Sequence, residues 1–401
     1  MKKPELLAPA GNLERLVSAI EAGADACYIG GIDFSLRAIA EGVDKDFLLY
    51  AIDYVKSKNK KLYFTLNLFP HNRHIEKSLE IINFLSEIEI DAVIVSDIGL
   101  ITYILKHYPK IELHLSTQAN TTNILSVKFY EDIGIKRVNL ARELTLQEIK
   151  EIREKTNIEL EVFIHGAMCI SYSGRCLISR YLTKRSANLG GCPNCCRFNY
   201  YIIEIYDPKS KKYLEVREEK EGTAILASED LMTLPILDKI IDTGVDSLKI
   251  EGRTKSSFYV NTVVSIYRKA IDNIFEGKKD FYSKEDVETL LNLSPRGTFT
   301  GFYDDNVEEY YIDKKKMGEM SVGQVREKTS DLHLVDVRMP FKVGDILFAY
   351  NSNVKKEVEV EEMYDIFKNS KKQAHPNDIV WIRFSKDIPK GTILRKKANW
   401  F

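Results

Sequence analysis

Four times along the chain the same phrase returns: a helix-like run, a Gly or acidic residue, then a short apolar strand. It reads "EAGADACYIGG" from Glu21, "EIEIDAVIVSD" from Glu87, "DIGIKRVNLAR" from Asp132 and "DTGVDSLKIEGR" from Asp242. Gly23, Gly134 and Gly244 fall where a helix ends on a left-handed residue. The apolar runs after them suit parallel strands buried on both faces. With "ELLAPAG", "KLYFTLNL", "IELHLSTQ" and "LEVFIHG" they make eight strands, near 5–10, 25–30, 61–68, 92–97, 111–118, 136–141, 159–166 and 246–251. Amphipathic stretches such as "HIEKSLEIINFLSEIE" and "TLQEIKEIREKTN" separate most of them. Eight such units predict an α/β fold, a closed (β/α)8 TIM-type barrel. A doubly wound open sheet is the alternative, because a count of strands does not establish closure.

One interval is abnormally long. Between strands seven and eight the chain inserts a cysteine-bearing segment, at about 167–230, with an alternating run "YYIIEIYDPKSKKYLEV" that reads as a β-hairpin. Long excursions from barrel strand ends usually carry function. The barrel with this insertion spans 1–300, and a polar connector follows over 301–316. From 317 to 401 short strands ("SVGQVREK", "LHLVDVR", "VGDILFAY", "KEVEVEEMY", "DIVWIRF", "GTILRKK") predict a small C-terminal β-barrel.

Five of six cysteines lie between Cys169 and Cys196, so their chemical state decides what the insertion can do. The start "MKKPELLAPAG" lacks the apolar core of a signal peptide, and no apolar run is long enough to span a bilayer. A cytoplasmic protein with no membrane association is the expectation, and thiols there stay reduced. Cys169, Cys176, Cys192 and Cys196, with Cys195 between the last two, are soft-metal donors whose uneven spacing is not that of paired zinc knuckles. A metal or cluster site, a nucleophilic cysteine and a packed group of thiols all remain open. Cys27, inside a strand, reads as core. His165, four positions before Cys169, is a candidate catalytic base, or else a strand-end histidine with a local hydrogen bond.

Active sites of such barrels lie at the C-terminal strand ends. There the sequence places Arg37, Asn67, Asp97, Gln118, Asn120, Arg142, Glu143, His165, Glu251 and Arg253. Together they suggest a mixed-charge pocket in which Glu143 or Glu251 moves protons; individually several could be caps or structural ion pairs. The formal charge is −1, so no global field draws a polyanion. Phosphate contact would need a local patch, for which "RYLTKRSANLGG", "DKKKMG" and "ILRKK" are candidates.

The segment "EVFIHGAMCISYSGRCLIS" resembles the signature of the collagenase-like peptidase family U-32, through Glu161, Phe163, Gly166, Ala167, Met168, Cys169, Gly174, Cys176, Ile178 and Ser179. The likeness extends to "ELLAPAGNLE", "STQAN", "LAREL", "GVDSLKIEGRTKS" and the C-terminal "VGQV…FKVGD". It implies oxygen-independent hydroxylation of RNA or quinone precursors, despite the family's name. The full-length form resembles the branch that acts on tRNA, making 5-hydroxyuridine at the wobble position with prephenate as hydroxyl source. It further implies a four-iron four-sulfur (4Fe-4S) cluster on Cys169, Cys176, Cys192 and a fourth cysteine, read as Cys196 with Cys195 as substitute; zinc is the alternative. One position departs: Met232 stands where many relatives carry a cysteine. Prephenate or a similar small organic acid would be held by paired guanidinium groups, from among Arg37, Arg142 and Arg253, with Asn67 and Gln118 completing the substrate set. The other expectations are a peptidase centred on Cys169 or a metal, and an RNA-binding accessory subunit working with a paralogue.

Overall fold

A computed structural model of the chain describes residues 2–30, 45–169, 171–183, 185–189, 192, 195–197, 206–207, 212–213, 229–294, 298–303, 309–310, 319–337, 339–351, 354–366, 368–375 and 378–397. Arg37 and the basic stretch at 313–318 lie outside these residues. Seven strands run in chain order: β1 (Glu5–Pro9), β2 (Ala26–Ile29), β3 (Lys61–Leu66), β4 (Ala92–Val95), β5 (Leu113–Leu115), β6 (Arg137–Asn139) and β7 (Glu159–Ala167). The insertion contributes a hairpin of β8 (Tyr206–Asp207) and β9 (Lys212–Tyr213), then β10 (Asp230–Met232), before β11 (Ser247–Ile250). Strands β1 to β7 pair in parallel in sequence order, and β11 pairs in parallel with both β7 and β1. The sheet is therefore closed, an eight-stranded barrel with helices outside, and the open-sheet alternative falls.

The helices begin where short polar side chains can satisfy exposed N–H groups. Asn12, Asp97, Asn123, Thr145 and Ser256 each accept a bond from the first turn of the following helix. Asp97, placed at the pocket by its sequence position, is thus the cap of Ile98–His107. The repeated glycines do sit in the left-handed region, at φ +100, +104 and +82 for Gly23, Gly134 and Gly244.

Two features were not visible as strands in the sequence. Strand β10, from "SEDLMTL", pairs antiparallel with the end of β7, setting Met232 opposite His165 and Asp230 opposite Ala167. The sheet then continues through β12 (Thr298–Phe299) and β13 (Glu309–Tyr310). Beyond it a six-stranded antiparallel barrel closes from β14 (Glu319–Lys328), β15 (His333–Val337), β17 (Ile346–Asn351), β18 (Val354–Tyr364), β20 (Ile379–Phe384) and β21 (Ile393–Lys397). A side ribbon pairs β16 (Phe341–Lys342) with β19 (Gln373–Ala374).

The large barrel has two kinds of interior. Between strands and helices lies a continuous aliphatic core. Inside the strands, Leu7, Ala26, Tyr28, Tyr63, Ala92 and Ile94 pack around an ionic centre. Glu161 accepts from Lys249 Nζ at 2.7 Å, Asn139 Nδ2 at 2.8 Å and Arg137 Nη1 at 3.3 Å. Arg137 also reaches Glu5 at 2.6 Å and Glu159 at 2.7 Å, and Tyr63 donates to Glu5 at 2.6 Å. Burial alone would push the Glu161 carboxyl up, but Lys249 and Arg137 hold it below the usual carboxylate range. A carboxylate is therefore fixed between two cations, tying β1, β6, β7 and β11 together.

Removing one member of a buried ionic group leaves the others uncompensated, at a cost of about 3–5 kcal/mol. Glu161→Ala is expected to lose stability on that order in urea unfolding. Because the folded carboxyl titrates low, its contribution is present above the unfolded carboxyl pKa and is lost as pH falls through the lower folded value. Acid unfolding of Glu161→Ala should accordingly show a weaker pH dependence than that of the parent chain.

Candidate active site

At the C-terminal ends of the strands a single cavity is lined by Cys169, Cys176, Cys192 and Cys196 and, facing them, Asn67, Gln118, Arg142, Glu251 and Arg253. The topology brings these together. Strands β6 and β11 flank β7, so Arg142 and Arg253 follow the two neighbours of the strand that delivers Cys169. Arg142 donates from Nη1 to the Ala167 carbonyl at 3.2 Å, lies 3.9 Å from Cys169 Sγ, and its guanidinium carbon sits 4.0 Å from the centre of the Phe163 ring. Its buried Nε has no hydrogen-bond partner among the described residues. Arg253, almost fully buried, donates to Thr65 Oγ1 at 2.8 Å. Asn67 donates to Ser116 Oγ at 3.1 Å while its Oδ1 has no partner among the described residues. Lys249, unassigned by sequence reasoning, also lines the cavity and joins it to the ionic centre below.

The loop carrying the cysteines is built against the barrel rim. Gly174 has φ +73, and a Cβ there would lie 2.0 Å from the Gln118 carbonyl oxygen, so only glycine lets the loop approach the turn Thr117–Ala119. Glu143 accepts from Ser173 N at 2.7 Å and Ser173 Oγ at 3.2 Å. That carboxylate, expected to move protons, lines the cavity and also clamps the loop. Asn188 Nδ2 donates to the Cys176 carbonyl at 3.2 Å, and Phe69 N donates to the Asn188 carbonyl at 3.0 Å.

The thiols differ. Burial raises the Cys176 thiol, but hydrogen bonds at Ser179, Ser171 and Ile178 outweigh it and bring the net shift downward, toward the thiolate that binds metals. Cys195 is buried, is not on the cavity wall, and burial pushes its thiol up. The wall cysteine of this pair is Cys196. Cys27 is fully buried in β2, where desolvation raises its thiol far above the ordinary range. No disulfide links any of the six. Among the described residues no three His, Cys, Asp or Glu side chains converge as the ligands of one ion do.

His165 departs from its expected place. Phe163 pairs with Lys249, but the register slips and His165 pairs with Ile250. This bulge takes up Ile164 and turns the imidazole out of the barrel. The ring lies between Tyr259 and Tyr267, its Nδ1 3.3 Å from Tyr267 Oη, and it is absent from the cavity wall. Met232 is likewise buried away from the cavity, with Thr298 Oγ1 3.9 Å from its sulfur. In the "ILRKK" end, Arg395 is buried over Phe258 and Tyr350, and Lys396 pairs with Asp345.

A closed parallel barrel, a second small β-barrel and a cysteine-lined cavity define the class. The family model for peptidase family U32 matches residues 11–313, and that for the peptidase family U32 C-terminal domain matches 319–395. The chain belongs to peptidase family U32. It is 37% identical to tRNA hydroxylation protein P1 of Bacillus subtilis, covering 98% of this chain and 95% of that one. Identity to tRNA hydroxylation protein P of Escherichia coli is 35%, over 97% and 95%. The 23S rRNA 5-hydroxycytidine C2501 synthase of Escherichia coli is 34% identical over 88% of this chain and 53% of its own length. No helix among the described residues is long and apolar enough to cross a membrane.

Two outcomes follow from the geometry. Burial depresses His165 to about 3, so its imidazole resonances should stay neutral from pH 8 to 5; a midpoint near 6.5 would place the ring in solvent. Gly174→Ala should displace the loop, seen as faster labelling of Cys176 by a thiol reagent with the melting temperature little changed.

Proposed function

We propose that this chain hydroxylates tRNA, forming 5-hydroxyuridine at the wobble position without molecular oxygen, with prephenate or a similar small organic acid as hydroxyl source. The observation that carries the reading is one cavity in which four cysteines stand beside two arginines. The names and full-length cover of the Bacillus subtilis and Escherichia coli relatives support tRNA as substrate. The likeness to the rRNA synthase supports base hydroxylation as the shared chemistry.

A 4Fe-4S cluster would be held by Cys169, Cys176, Cys192 and Cys196. The donor set fits in its chemistry: four thiols line one cavity, one of them shifted toward thiolate. Zinc on the same thiols is the alternative, and metal and sulfide analysis separates the two. When bound, such a cluster supplies one-electron chemistry beside the substrate. The chain's own residues do the rest. Arg142 and Arg253 supply the guanidinium groups for a small acid's carboxylates, and the open Oδ1 of Asn67 accepts from a hydroxyl. Glu251 or Glu143, both lining the cavity, exchanges a proton with it. The peptidase reading lacks support at its base, since His165 faces away from Cys169.

The test is 5-hydroxyuridine in tRNA from a strain lacking the gene. Restoration by the parent gene, and failure of Cys169→Ser, Cys176→Ser, Cys192→Ser and Cys196→Ser to restore it, are expected. Restoration only together with a paralogue would identify an accessory subunit. Peptide cleavage lost in Cys169→Ser yet insensitive to iron chelation would identify a peptidase. Arg142→Ala and Arg253→Ala should each weaken binding of the acid by about 1.5–3 kcal/mol, roughly tenfold to a hundredfold. Lysine should not restore it, because the planar fork is lost.

A further inference from the structure

Beside the cysteine cavity runs a second groove, and the two share Gly174 and Asn188 on their walls. Three arginines line it, Arg73, Arg175 and Arg180, and no carboxylate does among the described residues. In a chain of 58 basic and 59 acidic residues this is a marked local bias. All three arginines are exposed, and they come from separate segments, before and after Cys176 and at the start of the helix Asn72–Glu87. Two exposed aromatic rings line the cavity, one of them, Tyr172, two residues from the shared Gly174. Tyr172 is 66% exposed and Phe302 49% exposed, although both line the cavity. Water does not favour large aromatic faces on a rim; a flat ligand entering the cavity would cover them.

We propose that this rim and groove hold a splayed single-stranded RNA segment: the target base enters the cavity across Tyr172 and Phe302, and its flanking phosphates lie on Arg73, Arg175 and Arg180. The inference rests on the RNA-directed reading above and adds the surface that delivers the base. Aromatic faces stack on any base, and guanidinium groups track the backbone without reading sequence. A chain with no overall positive charge needs such a local patch to hold a polyanion. The seam is rigid where it matters, because Gly174 is pressed against Gln118 and Asn188 is tied to both Cys176 and Phe69. A phosphate track built on this seam keeps a fixed offset from the cysteines.

The experiment is equilibrium binding of an unmodified tRNA anticodon stem-loop to the full chain, titrated against salt. Replacing the three arginines together by alanine should lower the slope of log affinity against log salt by about 2, roughly 0.7 for each single-strand phosphate no longer neutralised. Tyr172→Ala should weaken binding roughly fivefold to a hundredfold while leaving the salt slope unchanged. These side chains are exposed, so circular dichroism should show the parent fold in every variant. If the parent binds the stem-loop and the triple variant binds with the same slope, the groove is not the RNA path, and the hydroxylase reading stands without it. If the parent chain does not bind the stem-loop at all, the RNA reading falls and this surface with it.

Discussion

Glu161 is the point on which the barrel turns. A carboxylate at the centre of a strand barrel is tolerable only with cations beside it, and Lys249 and Arg137 come from the strands on either side. That group fixes the register of β6, β7 and β11, and register decides everything above it. With Phe163 level with Lys249, the next residues of β7 can bulge, and the strand leaves the barrel aimed at the rim rather than along the sheet. Arg142 and Arg253 then arrive on the two sides of the cysteine segment because their strands are the neighbours of β7.

The same register separates structural from chemical side chains. Below the bulge Phe163 faces inward and carries the Arg142 guanidinium on its ring; above it His165 faces the outer helix and is neutral. Glycine at 174 and the Glu143–Ser173 clamp then fold the loop back, so that Cys176 and Cys169 line one cavity. The site is thus assembled by backbone constraints, and Glu143, Ser173 and Asn188 both hold the loop and line the cavity.

The strands were legible because buried parallel strands are short apolar runs ended by helix-stopping glycines, a pattern read without knowing any partner. Arg142, Arg253, Asn67, Gln118 and Glu251 are legible together from strand order, since they follow strand ends, whereas the four cysteines are grouped by their clustering in the insertion and by the family resemblance. His165 could not, because its direction depends on a slip between Lys249 and Ile250, far away in sequence. Strand β10 was hidden because "SEDLMTL" has no alternation; it forms by pairing with the overhanging end of β7. Lys249 was passed over because a lysine within an apolar strand shows its meaning only when Glu161 is set opposite. The loop contact of Glu143 is illegible for the same reason, since it depends on where Ser173 is placed.

The central claim is the proposal that the four cysteines lining one cavity hold an iron–sulfur centre. The most direct measurement is iron and acid-labile sulfide content, with Mössbauer spectra, of the chain purified without oxygen, beside the same chain with Cys196→Ser or Cys195→Ser. The account predicts four irons and four sulfides per chain, lost or diminished in Cys196→Ser and retained in Cys195→Ser. Stoichiometric zinc without sulfide, or a centre that needs Cys195 and not Cys196, would contradict it.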